Sequence, residues 1–178
     1  MVVELRPFEA SDIDRIMDWI VSRELLLLWA GPFLSWPLRR EALEDHVATA
    51  GGETPKLLIF KAVDAEAEET IGHIELTEID HLNCSARIGR VLVGPDRLRG
   101  QGIGQAITRA VLPLAFEQLG MHRVDLNVFD YNVGAIACYQ KVGFKLDGVM
   151  RHARRDGDRY INVCVMSMLE DEWRALYT

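Results

Sequence analysis

Long apolar runs are missing from this sequence, and nothing in it approaches the ~20 consecutive apolar residues of a membrane span. Its start, Met1-Val2-Val3-Glu4-Leu5-Arg6, has no basic region ahead of an apolar one, so no leader is expected and the protein is read as cytoplasmic with no membrane partner. Cysteine is scarce: Cys84, Cys138 and Cys164 are odd in number and far apart, which argues against a disulfide framework and fits reduced, mostly buried thiols. The histidines His46, His73, His81, His122 and His152 lack ligand spacing with one another or with cysteine, so no metal is expected. Positive charge is in deficit, with 20 Lys and Arg against 27 Asp and Glu and a net charge of −7, so no nucleic-acid partner is expected. An acidic surface suits a cationic substrate, and it also simply aids solubility. Pro-rich, Gln-rich and Ser-rich tracts are absent, and with them any sign of a linker or of disorder beyond the termini.

What is present is an ordinary globular composition, 49% hydrophobic and 26% charged over 178 residues, which predicts one domain spanning 1–178. Val2 to Arg6 reads as a strand, and Ser11 or Asp12 as the cap of a helix carrying Ile13, Ile16, Met17 and Ile20. Leu25 to Pro37 is apolar but broken by Gly31, Pro32 and Pro37, so it reads as a loop with short helical turns. Its possible uses are core packing, a wall over a pocket, or the surface of a homodimer. A helix over Arg39 to Ala48, a strand over Leu57 to Val63 and a long strand from Thr70 towards Asp80 follow. On that long strand Ile71, His73, Glu75 and Thr77 share one face, which is therefore largely polar. Ala86 to Val93 is the next strand. After the central motifs, Arg123 to Val128 reads as a buried strand, Phe144 to Arg154 and Tyr160 to Leu169 as a hairpin about Asp156-Gly157, and the end as a polar segment containing Trp173.

The centre of the sequence is Val91-Leu92-Val93-Gly94-Pro95-Asp96-Arg97-Leu98-Arg99-Gly100-Gln101-Gly102-Ile103-Gly104. An apolar strand stops at Gly-Pro, and apolar positions then recur at helical spacing from Ile103 to Leu114. This predicts a strand, a tight turn and a helix that reaches Leu119, bends at Pro113 and ends at Gly120. Glycines let a ligand approach the backbone, and the free N–H groups at a helix start favour an anion, so the stretch reads as a phosphate cradle. Gly100-x-Gly102-x-Gly104 does not complete a dinucleotide fingerprint, because Ile107 stands where its last small residue belongs, and a P-loop is excluded by the absence of Gly-Lys-Ser/Thr.

A second motif, Asn132-Val133-Gly134-Ala135-Ile136-Ala137-Cys138-Tyr139-Gln140-Lys141-Val142-Gly143-Phe144, follows on a short helix that Asn132 or Val133 begins and Gly143 ends. The first motif resembles the Arg/Gln-x-x-Gly-x-Gly/Ala signature of the GCN5-related N-acetyltransferases, through Arg99 to Gly104, and the second resembles the Asn-x-x-Ala-x-x-x-Tyr-x-Lys-x-Gly-Phe pattern of the same superfamily. Gly148-x-x-Arg151 and Met166-Ser167-Met168-Leu169 are similar to the branch that acetylates ribosomal-protein N-termini. The resemblance implies an α/β fold with a mixed, mainly antiparallel, twisted sheet of about seven strands, helices on both faces, and a V-shaped opening between the strands ending near Val93 and Val128.

The activity implied is direct transfer from acetyl-CoA, the cosubstrate, to a primary amine, either a protein N-terminus or a small amine such as a polyamine. The pyrophosphate is expected on the backbone N–H groups of Gln101, Gly102, Ile103 and Gly104, beside Gly100, with Arg97 or Arg99 adding charge and Lys141 also on the cofactor side. Leu92 and Val93 are expected to pair with the pantetheine amides at an open sheet edge. In the family's pattern Tyr139 is the phenol that donates to the leaving sulfur, and Asn132 holds the pantetheine or the helix start. No acid lies on the Ala86 to Val93 strand, so Glu75 is the first candidate for the base, working through water, with Asp130 and His73 behind it. Glu24 to Trp36 and Arg151 to Tyr160 are expected on the acceptor side. A non-catalytic acyl-CoA-binding domain is the alternative; it would keep the glycine loop and need neither Tyr139 nor a base.

Overall fold

The computed structural model describes residues 2–178. Seven strands form one sheet in the order β1-β2-β3-β4-β5-β7-β6. They are β1 (Val3–Pro7), β2 (Leu58–Asp64), β3 (Glu69–Asp80), β4 (Ser85–Val93), β5 (Arg123–Phe129), β6 (Lys145–Asp156) and β7 (Arg159–Leu169). Every neighbouring pair is antiparallel except β4 with β5, which run parallel. The helices are α1 (Ile13–Trp19), α2 (Arg23–Ala30), α3 (Arg40–Val47), α4 (Ile103–Pro113), α5 (Val133–Val142) and α6 (Glu170–Tyr177).

The parallel pair opens the sheet. Its ladder runs only from Ser85 with Arg123 to Ile88 with Leu126, after which the two strands part. On its other side β4 carries one extra residue, since Glu75 is opposite Gly89 but His73 is opposite Leu92, and Arg90 takes up the excess with φ 48°. A bulge of this kind bends its strand and strengthens the local twist, which turns β4 away from β5. The indole N–H of Trp29 on α2 donates to the Arg90 carbonyl at 2.8 Å and fixes the bulge. Beyond it β4 ends at Gly94, where a Cβ would lie 2.3 Å from the Trp19 ring.

Two clusters hold the frame. Ile107, Val111 and Leu112 of α4 are fully buried with Ile74, Leu76, Val124 and Met166 of the sheet, and Ile13, Ile16, Leu26, Trp29 and Leu43 of α1–α3 bury together with Leu92. Pro113 cannot donate to the helical ladder, and the chain widens into a π-turn over Leu114–Gln118 before Gly120 at φ 66°.

Two segments differ from expectation. Leu25 to Ala30 is not loop: the Ser22 hydroxyl accepts the Leu25 N–H at 3.1 Å, caps α2 and lets the leucine run coil until Gly31. Most of that run faces inward, leaving Phe33 and Trp36 exposed. The polar end is a helix, α6, because Trp173 is buried and stacks on Phe116 with 5.3 Å between ring centroids.

Candidate active site

Two cavities meet where β4 and β5 part. The first, about 520 Å³, is lined by Val91 to Val93, by Arg99, Gly100 and Gly102 to Gln105, and by the first turns of α5 with Cys138 and Lys141. The second, about 400 Å³, is bounded by α2, α3 and the sheet and includes His46, Glu75, Arg90, Asn127 and Tyr139. Leu28, Trp29, Val91, Asn132 and Ala135 line both, so an elongated ligand in one cavity can present its end to the other.

The first cavity is lined by groups that suit an anion. Gly102 caps α4 with φ 82°, a left-handed conformation that β-carbon-bearing residues adopt at a penalty. A Cβ there would meet nothing within 4 Å, so backbone conformation and not packing makes the position glycine's. The first N–H groups of α4 point out of the helix, and its dipole puts partial positive charge behind them. Arg99 stands at the rim, with Nε donating to the Val93 carbonyl at 3.2 Å and Nη1 paired with Asp96 at 2.6 Å. The Lys141 ammonium has no acidic partner among the described residues and lines the same cavity. These groups suit a pyrophosphate.

Three of the expected loop contacts are placed elsewhere. Arg97 turns away and pairs with Glu69. The Gln101 amide folds back onto the Arg97 carbonyl, and Gln105, one turn into the helix, lines the cavity where Gln101 does not. Leu92 requires a correction in its backbone role. Gly94 N–H donates to the Ile71 carbonyl at 2.9 Å, and alternation along the ladder therefore turns the backbone of Leu92 to β3 as well. Val93, and by the same alternation Val91, face the open edge.

Asn132 caps α5, its side chain accepting the Ala135 N–H at 3.2 Å. Two turns on, the Tyr139 ring packs edge-on against Phe144, and its hydroxyl has no hydrogen-bond partner among the described residues. Burial pushes this phenol well above its ordinary value, with a smaller push from Cys138, so it stays protonated at neutral pH.

Glu75 is not on a solvent-facing polar surface. It is 1% exposed, because α3 covers that part of β3 and brings in His46. His46 Nε2 lies 2.9 and 3.0 Å from the two Glu75 oxygens, His73 Nε2 lies 3.1 Å from Oε1, and Arg90 Nη1 donates from 3.3 Å. Burial alone would raise the Glu75 carboxyl, but the hydrogen bonds from both imidazoles and the Arg90 charge outweigh it and hold the group far below the usual carboxylate range. An ionised Glu75 accepts, so both Nε2 atoms carry protons. Burial drives the His73 imidazole down, against the pull of Glu75, and leaves it neutral, between the rings of Phe8 and Trp29 with its Nδ1 unpaired. Both Nε2 atoms are engaged by the carboxylate, and among the described residues no group of three His, Cys, Asp or Glu side chains is arranged to hold a metal ion.

His73 and Asp130, the other candidate bases, line neither of the two cavities, and Asp130 accepts from Asn162 at 2.8 Å. Sequence reasoning missed His46, Arg90 and Asn127. No local signal marks them, since His46 reaches Glu75 across 29 residues and Arg90 acts through a bulge.

Comparison with known proteins places the fold among acetyltransferases. A family model described as an acetyltransferase (GNAT) domain matches residues 3–145. A spermidine N(1)-acetyltransferase of Vibrio cholerae is 25% identical over 170 residues, covering 95% of this chain and 94% of its own length. One from Escherichia coli K12 is 22% identical over 174 residues, covering 97% and 89%. The crystal structure of spermidine N-acetyltransferase from Vibrio cholerae in complex with CoA and spermine superposes with a TM-score of 0.79 at 24% identity, covering 97% of this chain and 98% of that one.

Proposed function

Because the chain belongs to the acetyltransferase (GNAT) family, we propose that its two cavities divide the work of an acetyl-CoA-dependent N-acetyltransferase acting on a primary amine. The α4 cavity holds the donor and the Glu75 cavity the acceptor. The observation that carries this division is their shared wall of Val91, Asn132 and Ala135, with the Tyr139 phenol beside it on the acceptor side.

Acetyl-CoA, when bound, supplies an acyl group on a thioester. The residues of this chain do the rest. The α4 N-terminus, Arg99 and Lys141 hold the phosphates, while the open edge of β4 offers the Val93 N–H and the Val91 N–H and C=O to the pantetheine arm. A free N–H on that edge is also suited to the carbonyl oxygen as charge develops there. The amine must lose a proton before it attacks. Glu75 is too acidic to take that proton well by itself, and we assign the transfer to the His46–Glu75 pair, with His46 Nδ1 accepting and Glu75 offsetting the imidazolium charge. Tyr139, held protonated by burial, donates to the departing sulfur.

The acceptor class is less narrowly drawn. The full-length relatives named above act on spermidine by name, which supports a polyamine, whereas Gly148, Arg151 and the Met166–Leu169 segment support a protein N-terminus. Both are primary amines. The test of the roles is kinetic: Tyr139→Phe should lower kcat by about 10²-fold or more while the acetyl-CoA Kd stays put, and His46→Gln should do the same. Unchanged turnover in either variant removes that residue from the mechanism.

A further inference from the structure

The charges of the acceptor cavity can be paired off until one is left. Five charged side chains line it: Glu75, Glu78, Arg87, Arg90 and Arg154. Arg90 faces Glu75 at 3.3 Å, and Arg87 pairs with Glu78 at 2.5 Å and with Asp125 at 2.6 Å. Arg154 has no acidic partner among the described residues. Its Nη1 donates to the neighbouring Ala153 carbonyl at 2.8 Å, and its guanidinium lies 5.4 Å over the ring of Phe33, in the turn that follows α2.

Of the arginines that line the two cavities, Arg87, Arg90 and Arg99 each pair with a carboxylate and Arg154 does not. That arrangement is also built. Regular pairing of β6 with β7 is interrupted between Met150 and Arg154, His152 takes φ 53°, and the Asn162 side chain accepts the His152 N–H at 2.9 Å to fill the gap. Arg154 stands where the ladder resumes, opposite Ile161, and reaches across to Phe33. A guanidinium presents five N–H donors in a planar fork, and here only one is engaged. The remaining fork matches a carboxylate or phosphate and repels an ammonium.

Resting on the acetyltransferase reading, we propose that the acceptor is a primary amine whose molecule also carries an oxyanion, a carboxylate or a phosphate, which docks on Arg154. A polycation lacks that group and brings a second positive charge to the same wall. The cavity thus selects against the acceptor class after which the relatives are named. Its volume of about 400 Å³ holds a small molecule or the first residues of a peptide, and both can carry the required anion.

The experiment compares matched amines on the full chain at fixed ionic strength and saturating acetyl-CoA, reading CoA thiol release. The arms are butane-1,4-diamine and spermidine, the corresponding 4-aminobutanoate and an aminoalkyl phosphate, and short peptides differing only in Asp or Lys at the second residue. Wild type should use the anionic member of each pair with the higher kcat/KM, and the small-molecule and peptide arms show which source the site takes. Arg154→Gln should reduce kcat/KM for that member roughly 10- to 100-fold, mainly through KM, without altering the acetyl-CoA Kd. Arg154→Glu should reverse the preference towards the diamine, a gain that a misfolded variant cannot show. Spermidine or the diamine outperforming every anionic amine, or Arg154→Gln leaving the anionic member unaffected, overturns the inference while the acetyltransferase reading stands. Thiol release from no amine at all overturns both.

Discussion

His73 shows how one side chain can be fixed by a neighbour it does not resemble in role. It is buried, neutral and donates one hydrogen bond to Glu75, so it serves the site as a brace and not as a base. Both His73 and Glu75 titrate lower in the folded chain than in the unfolded one. Their stabilisation is therefore complete above the unfolded values, about 6.5 for an imidazole and about 4.3 for a glutamate, and is lost as pH falls below each in turn. Urea midpoints should begin to drop below about pH 6.5, where the unfolded chain binds a proton that folded His73 refuses. His73→Gln keeps a donor for Glu75 but does not titrate, and should flatten that first decline while the later one remains; midpoints that fall in parallel for both proteins would place the titrating group elsewhere. At this scale the sequence was a partial guide. Tyr139 and Asn132 stand out in the sequence because both sit in one local motif that resembles a family pattern. The carboxylate of Glu75 looked like a free base because its partners, His46 from α3 and Arg90 from a bulge, come together only in three dimensions.

The elements were more legible than their contacts. The strand–turn–helix of the loop follows from features that act within a few residues: Gly94 ending β4, Gly102 in a left-handed conformation, and apolar spacing along α4. The strands were placed to within a residue or two for the same reason, since turn residues bound them. What failed was structure set by tertiary cover. α2 needed the Ser22 cap to outweigh the Gly-Pro breaks after it, and α6 needed Phe116 as a platform for Trp173. The start of α4, the element proposed for donor binding, can be perturbed with little else. Gly102→Ala introduces no clash but forces an alanine to φ 82°. It should cost about 1 kcal/mol and lower Tm by about 2–4 °C, while the acetyl-CoA Kd rises about tenfold. An unchanged Kd measured by calorimetry would remove the helix start from donor binding.

Across the whole molecule, one disruption of the sheet accounts for the site. The Arg90 bulge and the short parallel ladder split β4 from β5, and the split places an anion cradle on one side of a shared wall and a charged cavity on the other. The seven-stranded frame is common to this chain and to relatives of about one-quarter identity or less, which is why fold could be recognised from two motifs while the acceptor could not. The motifs report the donor side. The second cavity draws its lining from α2, α3, α5 and strands β3 to β7, elements that no single sequence motif spans.

The central claim is that the two cavities meet so that an acetyl group passes from one to the other. It is tested most directly by incubating the full chain with acetyl-CoA and a panel of primary amines, and following CoA thiol and acceptor mass together. The account predicts thiol released in step with an acceptor heavier by one acetyl group, with both signals slowed alike in Tyr139→Phe. Tight acetyl-CoA binding with no thiol release beyond the amine-free control would contradict it, and would make the chain an acyl-CoA-binding domain that does no chemistry.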